Sequence, residues 1–176
     1  GSLVIQGDNF GAIGGQPVTP TAYFGPSGGD TDAYQLLSCS VTGDHVEMTC
    51  TVPEGKGTGY KVEVEVAGQR SSASSDTFGY QTPTIGTVAV AGGGGSRMST
   101  AGTSMVQITG TNFGAACSDE CVSASYSSGI NSYSSTCNVT GSDHTTLQCS
   151  TAPGVGFDHS WTVTVAGQTS AVSSDS

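Results

Sequence analysis

The stretch SCSVTGDHVEMTCTVPEGKGTGYKVEVEVAGQ, Ser38 to Gln69, decides the fold, because it is written a second time as TCNVTGSDHTTLQCSTAPGVGFDHSWTVTVAGQ, Thr136 to Gln168. Each copy reads as a strand, a turn, a second strand, a Pro/Gly loop and a third strand. In the first copy, placing Cys39 opposite Cys50 sets Val41 opposite Met48 and leaves Gly43 to Val46 as the turn. Side chains alternate along a strand, so Cys39, Val41, Val46, Met48 and Cys50 are expected on one buried face. The second copy pairs Cys137 with Cys149 and Val139 with Leu147, turning at Ser142, Asp143 and His144. Opposed positions of an antiparallel pair lie about 4.5 to 5.5 Å apart at Cα, which overlaps the short end of the disulfide range. A cross-strand disulfide in each copy is therefore expected, with buried thiols as the alternative. Closing a loop of about ten to fifteen residues stabilises by roughly 3 kcal/mol in the chain-entropy account.

After each second cysteine comes a rigid turn, Pro53-Glu54-Gly55-Lys56-Gly57 or Pro153-Gly154-Val155-Gly156. Proline fixes φ and the glycines permit positive φ, so these are strand connections. The strand that follows alternates. Val62, Val64 and Val66 face one way and Lys61, Glu63 and Glu65 the other, while Trp161, Val163 and Val165 oppose Ser160, Thr162 and Thr164. One face is core and one is wet.

Upstream, SLVIQGDNFG (Ser2 to Gly11) matches MVQITGTNFG (Met105 to Gly114), so the repeat spans most of the 176 residues. Units of about 100 residues each bury a core, and short strands at this spacing point to a sandwich. The second copy has a lead-in that the first lacks, Pro83 to Val88. The first copy closes with Asp76-Thr77-Phe78-Gly79-Tyr80, whereas the second reaches only Asp175-Ser176. The expected domains are 1–81, with its first strand missing, and 82–176, with its last strand truncated. Such a chain is expected to be part of a longer array. Phe78 to Val90 is read as the last strand of one module, a short stiff linker at Pro83 and the first strand of the next. Ala91 to Gly102 is a Gly/Ser-rich insertion within the second module.

Acidic residues outnumber basic ones 14 to 4, a formal charge of −10. Nucleic-acid binding depends on Lys and Arg that this chain lacks, so it is not expected as a partner. The acidity is read as a solubility feature. Six cysteines, all assignable to local pairs, indicate an oxidising compartment. No apolar run approaches the length of a membrane span, and direct membrane insertion by this segment is not expected.

The combined order of a VxITGxNFG-like strand and turn, a cysteine pair, a C-x-x-P-x-G-x-G loop, a V-x-V-x-V-x-G-Q strand and then F-x-Y-x-x-P-x-I into the next copy resembles the IPT/TIG family. These immunoglobulin-like domains occur in plexin- and Met-type receptors, fibrocystin-like surface proteins and Rel-type transcription factors. The second copy departs from it by one place at its proline, Cys149-Ser-Thr-Ala-Pro153. The resemblance implies an all-β chain of two tandem immunoglobulin-like sandwiches used for adhesion, ligand binding or spacing, and it brings no catalytic residue set.

Other candidates are local. Cys117-Ser-Asp-Glu-Cys121 is a C-x-x-x-C pair; without a second pair or a spaced histidine it is read as a small disulfide-closed loop, zinc ligation being the alternative. Asn138-Val139-Thr140 is an N-glycosylation sequon whose asparagine alternates outward from Cys137 and Val139. Ser71 to Ser75 and Ser132 to Thr136 are compositional candidates for O-glycans. His45 and His144 occupy equivalent turns and are read as turn residues, and no serine sits in a nucleophile elbow. Asp8, Asp30, Asp32 and Asp44 match no calcium-loop spacing and read as turn caps. Neither a cofactor nor a metal is expected.

Three functions fit. One is a non-enzymatic structural or adhesive segment of a long secreted or cell-surface protein, whose partners are neighbouring modules, with possible assembly into a fibre or coat. The second is a receptor-type ectodomain binding an extracellular protein or glycan, which requires Tyr23, Phe24, Tyr126 and Tyr133 to form an exposed patch. The third is an accessory module of a secreted carbohydrate-active enzyme.

Overall fold

A computed structural model describes residues 1–14, 19–91, 97–140 and 144–174, with only the backbone described over 117–121. The described residues form fifteen strands and no helix. The chain divides into two units, Gly1–Glu54 with Thr58–Gly79, and Gly55–Gly57 with Tyr80–Ser176.

The first unit holds β1 (Ser2–Gln6), β2 (Thr21–Pro26), β3 (Tyr34–Gln35), β4 (Leu37–Gly43), β5 (Glu47–Thr51), β6 (Thr58–Val66), β7 (Gln69–Arg70) and β8 (Phe78–Gly79). They make a three-stranded sheet, β1-β5-β4, and a second sheet, β3-β2-β6-β7, with β8 also paired to β6. Both sheets contribute to one core. Met48 and Cys50 come from β5, Ala22 and Phe24 from β2, and Val62 and Val64 from β6. Leu3, Ile5 and Val66 are partly buried against it.

The second unit holds β9 (Thr84–Val90), β10 (Met105–Thr111), β11 (Cys117–Ser128), β12 (Asn131–Val139), β13 (Thr146–Ser150), β14 (Ser160–Val165) and β15 (Gln168–Thr169). They run in one hydrogen-bonded path, β15-β14-β11-β12-β13-β10-β9. The path folds over on itself, since inward residues of β10 and β13 (Val106, Ile108, Leu147, Cys149) share a core with those of β11 and β14 (Ala124, Tyr126, Trp161, Val163). Every strand pairing is antiparallel. The architecture is the all-β, immunoglobulin-like sandwich that the pattern of strands and the resemblance imply.

The hairpin register differs between the copies. In the second, Cys137 faces Cys149 and Val139 faces Leu147, as the sequence predicts. In the first, Val41 faces Met48 and Ser40 faces Thr49, the register that also sets Cys39 opposite Cys50 as the sequence predicts, with slips on either side of it, between Leu37 and Ser40 and between Val41 and Gly43. Ser38 there has φ of 48°, a left-handed kink. Val46 is a second correction. It is 50% exposed at the turn and does not join the buried face, because the turn needs its residues for backbone bonds to Gly7 and Gly43. Sulfur bridges join Cys39 to Cys50 and Cys137 to Cys149, each with Cα atoms 4.1 Å apart. Cys117 to Cys121 runs as backbone within the β11 span, where the pairing with β12 shifts between Cys117 and Val122. The side chains of Cys117 and Cys121 lie outside the described residues, as do Ser142, Asp143 and most of the Gly/Ser insertion.

The equivalent NFG turns dock on the hairpins. Asn9 and Asn112 take φ of 67° and 63°, which Asn tolerates better than most residues. Phe10 N–H then donates to the His45 carbonyl, and Phe113 N–H to that of His144. Both phenylalanines are buried beneath the turns they help to form. Both histidines have positive φ, 63° and 56°, so they are turn residues.

Candidate binding site

Four aromatic side chains of the second unit gather at one end of its core. Tyr126 on β11 faces Trp161 on β14 and Tyr133 on β12. Its ring stacks on both, with centroids 4.4 Å from Trp161 and 5.2 Å from Tyr133. His159 meets Tyr126 and Tyr133 edge-on at 5.3 and 5.8 Å. Strand alternation turns residues 126, 133 and 161 inward from neighbouring strands, and His159 joins them from just ahead of β14.

The Pro/Gly loop closes over the cluster. The Tyr126 hydroxyl donates to the Ala152 carbonyl and accepts from the Ala152 N–H, and the Tyr133 hydroxyl does the same with Val155. Burial lifts the Tyr126 hydroxyl above its ordinary pKa, which keeps it a neutral donor. Glycine is needed where the loop lies on the rings. A Cβ at Gly154 would sit 2.6 Å from the Tyr133 ring, and one at Gly156, where φ is +125°, would press on Ser128 and His159.

Beside the cluster lies a cavity of about 510 Å³, walled by Val88, Val90, Val106, Tyr126, His159 and Trp161, with the exposed Val155 and Phe157 at its border. Both tyrosine hydroxyls are already engaged. Nδ1 of His159 has no hydrogen-bond partner among the described residues, although His159 is only 8% exposed. An orphaned polar atom of this kind costs free energy unless a ligand or water completes it. With its aliphatic and aromatic walls, the cavity suits a mostly apolar group.

The sequence-level candidates are distributed otherwise. Phe24 and Tyr126 are buried in separate cores, 2% and 3% exposed, so the four aromatics do not form the exposed patch that a receptor surface required. Their positions among Gly, Ser and Thr concealed this, because polar neighbours made the strands look surface-bound. Tyr23 lies under Arg70, whose guanidinium carbon is 4.3 Å from the ring centroid. Arg70 also pairs with Asp32, Glu63 and Glu65. Asp30 and Asp32 share a hydrogen bond, which raises the pKa of Asp30 and lowers that of Asp32, Arg70 lowering Asp32 further. Asp44 accepts from the backbone N–H of Ile13. No group of three or more His, Cys, Asp or Glu among the described residues is arranged to hold a metal ion. Asn138 lies half-buried on β12, opposite Gln148, with its neighbours Cys137 and Val139 turned into the core. No described helix is long and apolar enough to cross a membrane.

No curated protein sequence matches the chain. Among solved structures it is similar to SGBP-B from a complex xyloglucan utilization locus in Bacteroides uniformis, at 20% identity and a TM-score of 0.33. That alignment covers 96% of this chain and 43% of the other, so the chain spans less than half the length of that protein. Over residues 96–176 the chain matches a family model described as the IPT/TIG domain.

Proposed function

We propose that the chain is a non-enzymatic structural and adhesive segment of a longer secreted or cell-surface protein, in which IPT/TIG-like modules follow one another in tandem. The single observation that carries this reading is the equivalence of the two units. Each has a strand-turn-strand hairpin closed by one sulfur bridge, an NFG turn docked on the hairpin, and a VAGQ strand end. Each also locks its closing segment in the same way. Ser74 Oγ accepts from Val62 N–H in the first unit, and Ser173 Oγ accepts from Trp161 N–H in the second. A unit repeated to the level of individual hydrogen bonds suits a load-bearing series. The disulfides support an extracellular setting, and Asn138 is proposed as the acceptor of an N-linked glycan there.

The test is mass mapping of the native parent polypeptide. Further cysteine-paired modules of this pattern in the same polypeptide, with a glycan mass on the Asn138 peptide, are the expected result. A parent with a hydrolase domain and no further copies would overturn the structural reading in favour of an enzyme accessory.

A further inference from the structure

The cavity beside His159 has a filled counterpart in the first unit. Register fixes the correspondence. Phe24 faces Val62 and Tyr34 just as Tyr126 faces Trp161 and Tyr133. Tyr60 precedes Val62 by two residues, as His159 precedes Trp161. In the first unit a further ring completes the group. Phe78 on β8 pairs with Tyr60 on β6 and packs 5.3 Å from Phe24 and 5.7 Å from Tyr60, centroid to centroid. The chain reaches Phe78 along a lane set by Ser74, which exchanges hydrogen bonds with both main-chain groups of Val62. The second unit has the same lane. Ser173 Oγ accepts from Trp161 N–H, and Ser173 N–H donates to the Trp161 carbonyl. Two residues before Trp161, just ahead of β14, lies His159, in the wall of the cavity.

We propose that this cavity seats the aromatic side chain of an extended Phe-Gly-Tyr-type segment that leads into an adjoining module, laid antiparallel beside His159 as β8 is laid beside Tyr60. The inference rests on the multi-module reading above and adds to it the chemistry of the junction. Three features select such an occupant. The walls are aliphatic and aromatic, as a phenyl ring requires. The lane along β14 presents main-chain groups to an extended segment. His159 stands in the cavity wall in place of the tyrosine that the first unit has there, which leaves room for the incoming ring.

The test extends the full chain after Ser176 with Phe-Gly-Tyr and compares it with an Ala-Gly-Tyr extension. Trp161, the one tryptophan of the chain, lies in the cavity wall and reports occupancy by its emission. Tethering supplies a high effective concentration, so a weak pairing is still read. The phenylalanine extension is expected to raise Tm by about 5 °C or more over the alanine one and to reduce acrylamide quenching of Trp161 at least about twofold. Equal Tm and equal quenching in the two extensions would overturn the proposal. Should an extended chain misfold, the unextended protein is titrated with a peptide of residues 74–82 and with its Phe78→Ala counterpart. Saturable change in Trp161 emission with the first alone supports the seat, and no difference between the two overturns it. A saccharide that saturably alters Trp161 emission when the phenylalanine extension does not would assign the cavity to glycans instead. Mapping of the parent separates the two levels of inference. A seated phenyl ring in a chain whose parent has no further module leaves the seat standing and sinks the array, and the converse result does the opposite.

Discussion

The two units share a plan but finish opposite edges of it. In the second, β9 pairs along β10, with Val88 facing Ile108 and Val90 facing Val106. The side chains of Val106 and Ile108 are consequently 1% and 0% exposed. In the first, β1 occupies the position of β10, with Leu3 facing Cys50 and Ile5 facing Met48, and pairs only with β5 among the described residues. Leu3 and Ile5 are only partly buried. At the other edge the advantage reverses, because β8 places Phe78 in the aromatic cluster of the first unit. Burial at equivalent positions thus depends on which flanking strand is in place as well as on the residue itself. Two otherwise similar hydrophobic patterns acquire different energetic weight.

The strongest way to break this comparison is a matched pair of truncations. Ile108→Ala should destabilise the second unit by about 2 to 5 kcal/mol, the usual cost of emptying a fully enclosed aliphatic site. Ile5→Ala, at the equivalent position, should cost about half as much, because its side chain retains water contact in the native state. Denaturant unfolding followed by Trp161 emission reads the second unit, and far-UV circular dichroism adds the first. Equal losses would show that β9 contributes nothing to burial.

A subtler pair concerns glycine. A Cβ at Gly110 would lie 1.9 Å from the Thr84 carbonyl oxygen of β9, as well as 2.6 Å from the Phe113 ring. At Gly7 in the first unit the three nearest atoms all belong to the Phe10 ring, the closest at 2.7 Å. Gly110→Ala should therefore push β9 away and cost about 1 to 3 kcal/mol. Gly7→Ala, where only one ring has to turn, should cost less. Hydrogen exchange at the β9 amides is the discriminating measurement; protection unchanged in Gly110→Ala would contradict the close approach.

Much of this plan was legible in the residues. The alternation of Val62, Val64 and Val66 and of Trp161, Val163 and Val165 named the inward face of both long strands, since period-two patterning is a direct consequence of the pleat. The Cys137 register was legible for the same reason. The slip between Leu37 and Ser40 was not. In the second unit one continuous strand, β12, faces Tyr126 through Tyr133 and Cys149 through Cys137. In the first, the corresponding chain breaks between β3 and β4 so that Leu36 turns inward, 2% exposed, and Ser38 kinks. Local propensity does not signal that break, because it is set by tertiary burial of Leu36. The hairpin of β11 and β12 was equally hidden. Its Ser- and Gly-rich sequence lacks the usual strand formers, and its order comes from pairing on both sides and from the tyrosine clamps on the loop. The cavity depends on residues from five strands and could not be assembled from spacing alone. The signal that could have exposed it was the correspondence of Tyr60 with His159, since the one completes a ring cluster with Phe78 and the other leaves a nitrogen unpaired.

The smallest expected effect lies on the wet faces of β6 and β14. The second unit lines its face with hydroxyls, such as Ser125 with Thr162 and Thr164 with Thr169, which do not titrate. The first uses charge, with Arg70 held among Asp32, Glu63 and Glu65 over Tyr23. On these faces, only the first unit's pairs change charge in acid. The hydrogen bond from Asp30, followed by that from Arg70, lowers the Asp32 pKa, so the stabilisation it brings is present above the unfolded pKa and is lost as pH falls through the folded value. Asp30 works against it. Its pKa is raised by the shared proton, so its ionised form is disfavoured in the folded state and that penalty is relieved in the same acidic window. The two act in opposite directions, and solvent screening reduces both. Carboxyl NMR titration should still separate them, with Asp30 above and Asp32 below the usual carboxylate range. In Arg70→Ala the Asp32 midpoint should move up while the Tm of the second unit stays unchanged. A midpoint that does not move would show that the Asp30 hydrogen bond alone sets it, and that the guanidinium serves mainly to cover the Tyr23 ring.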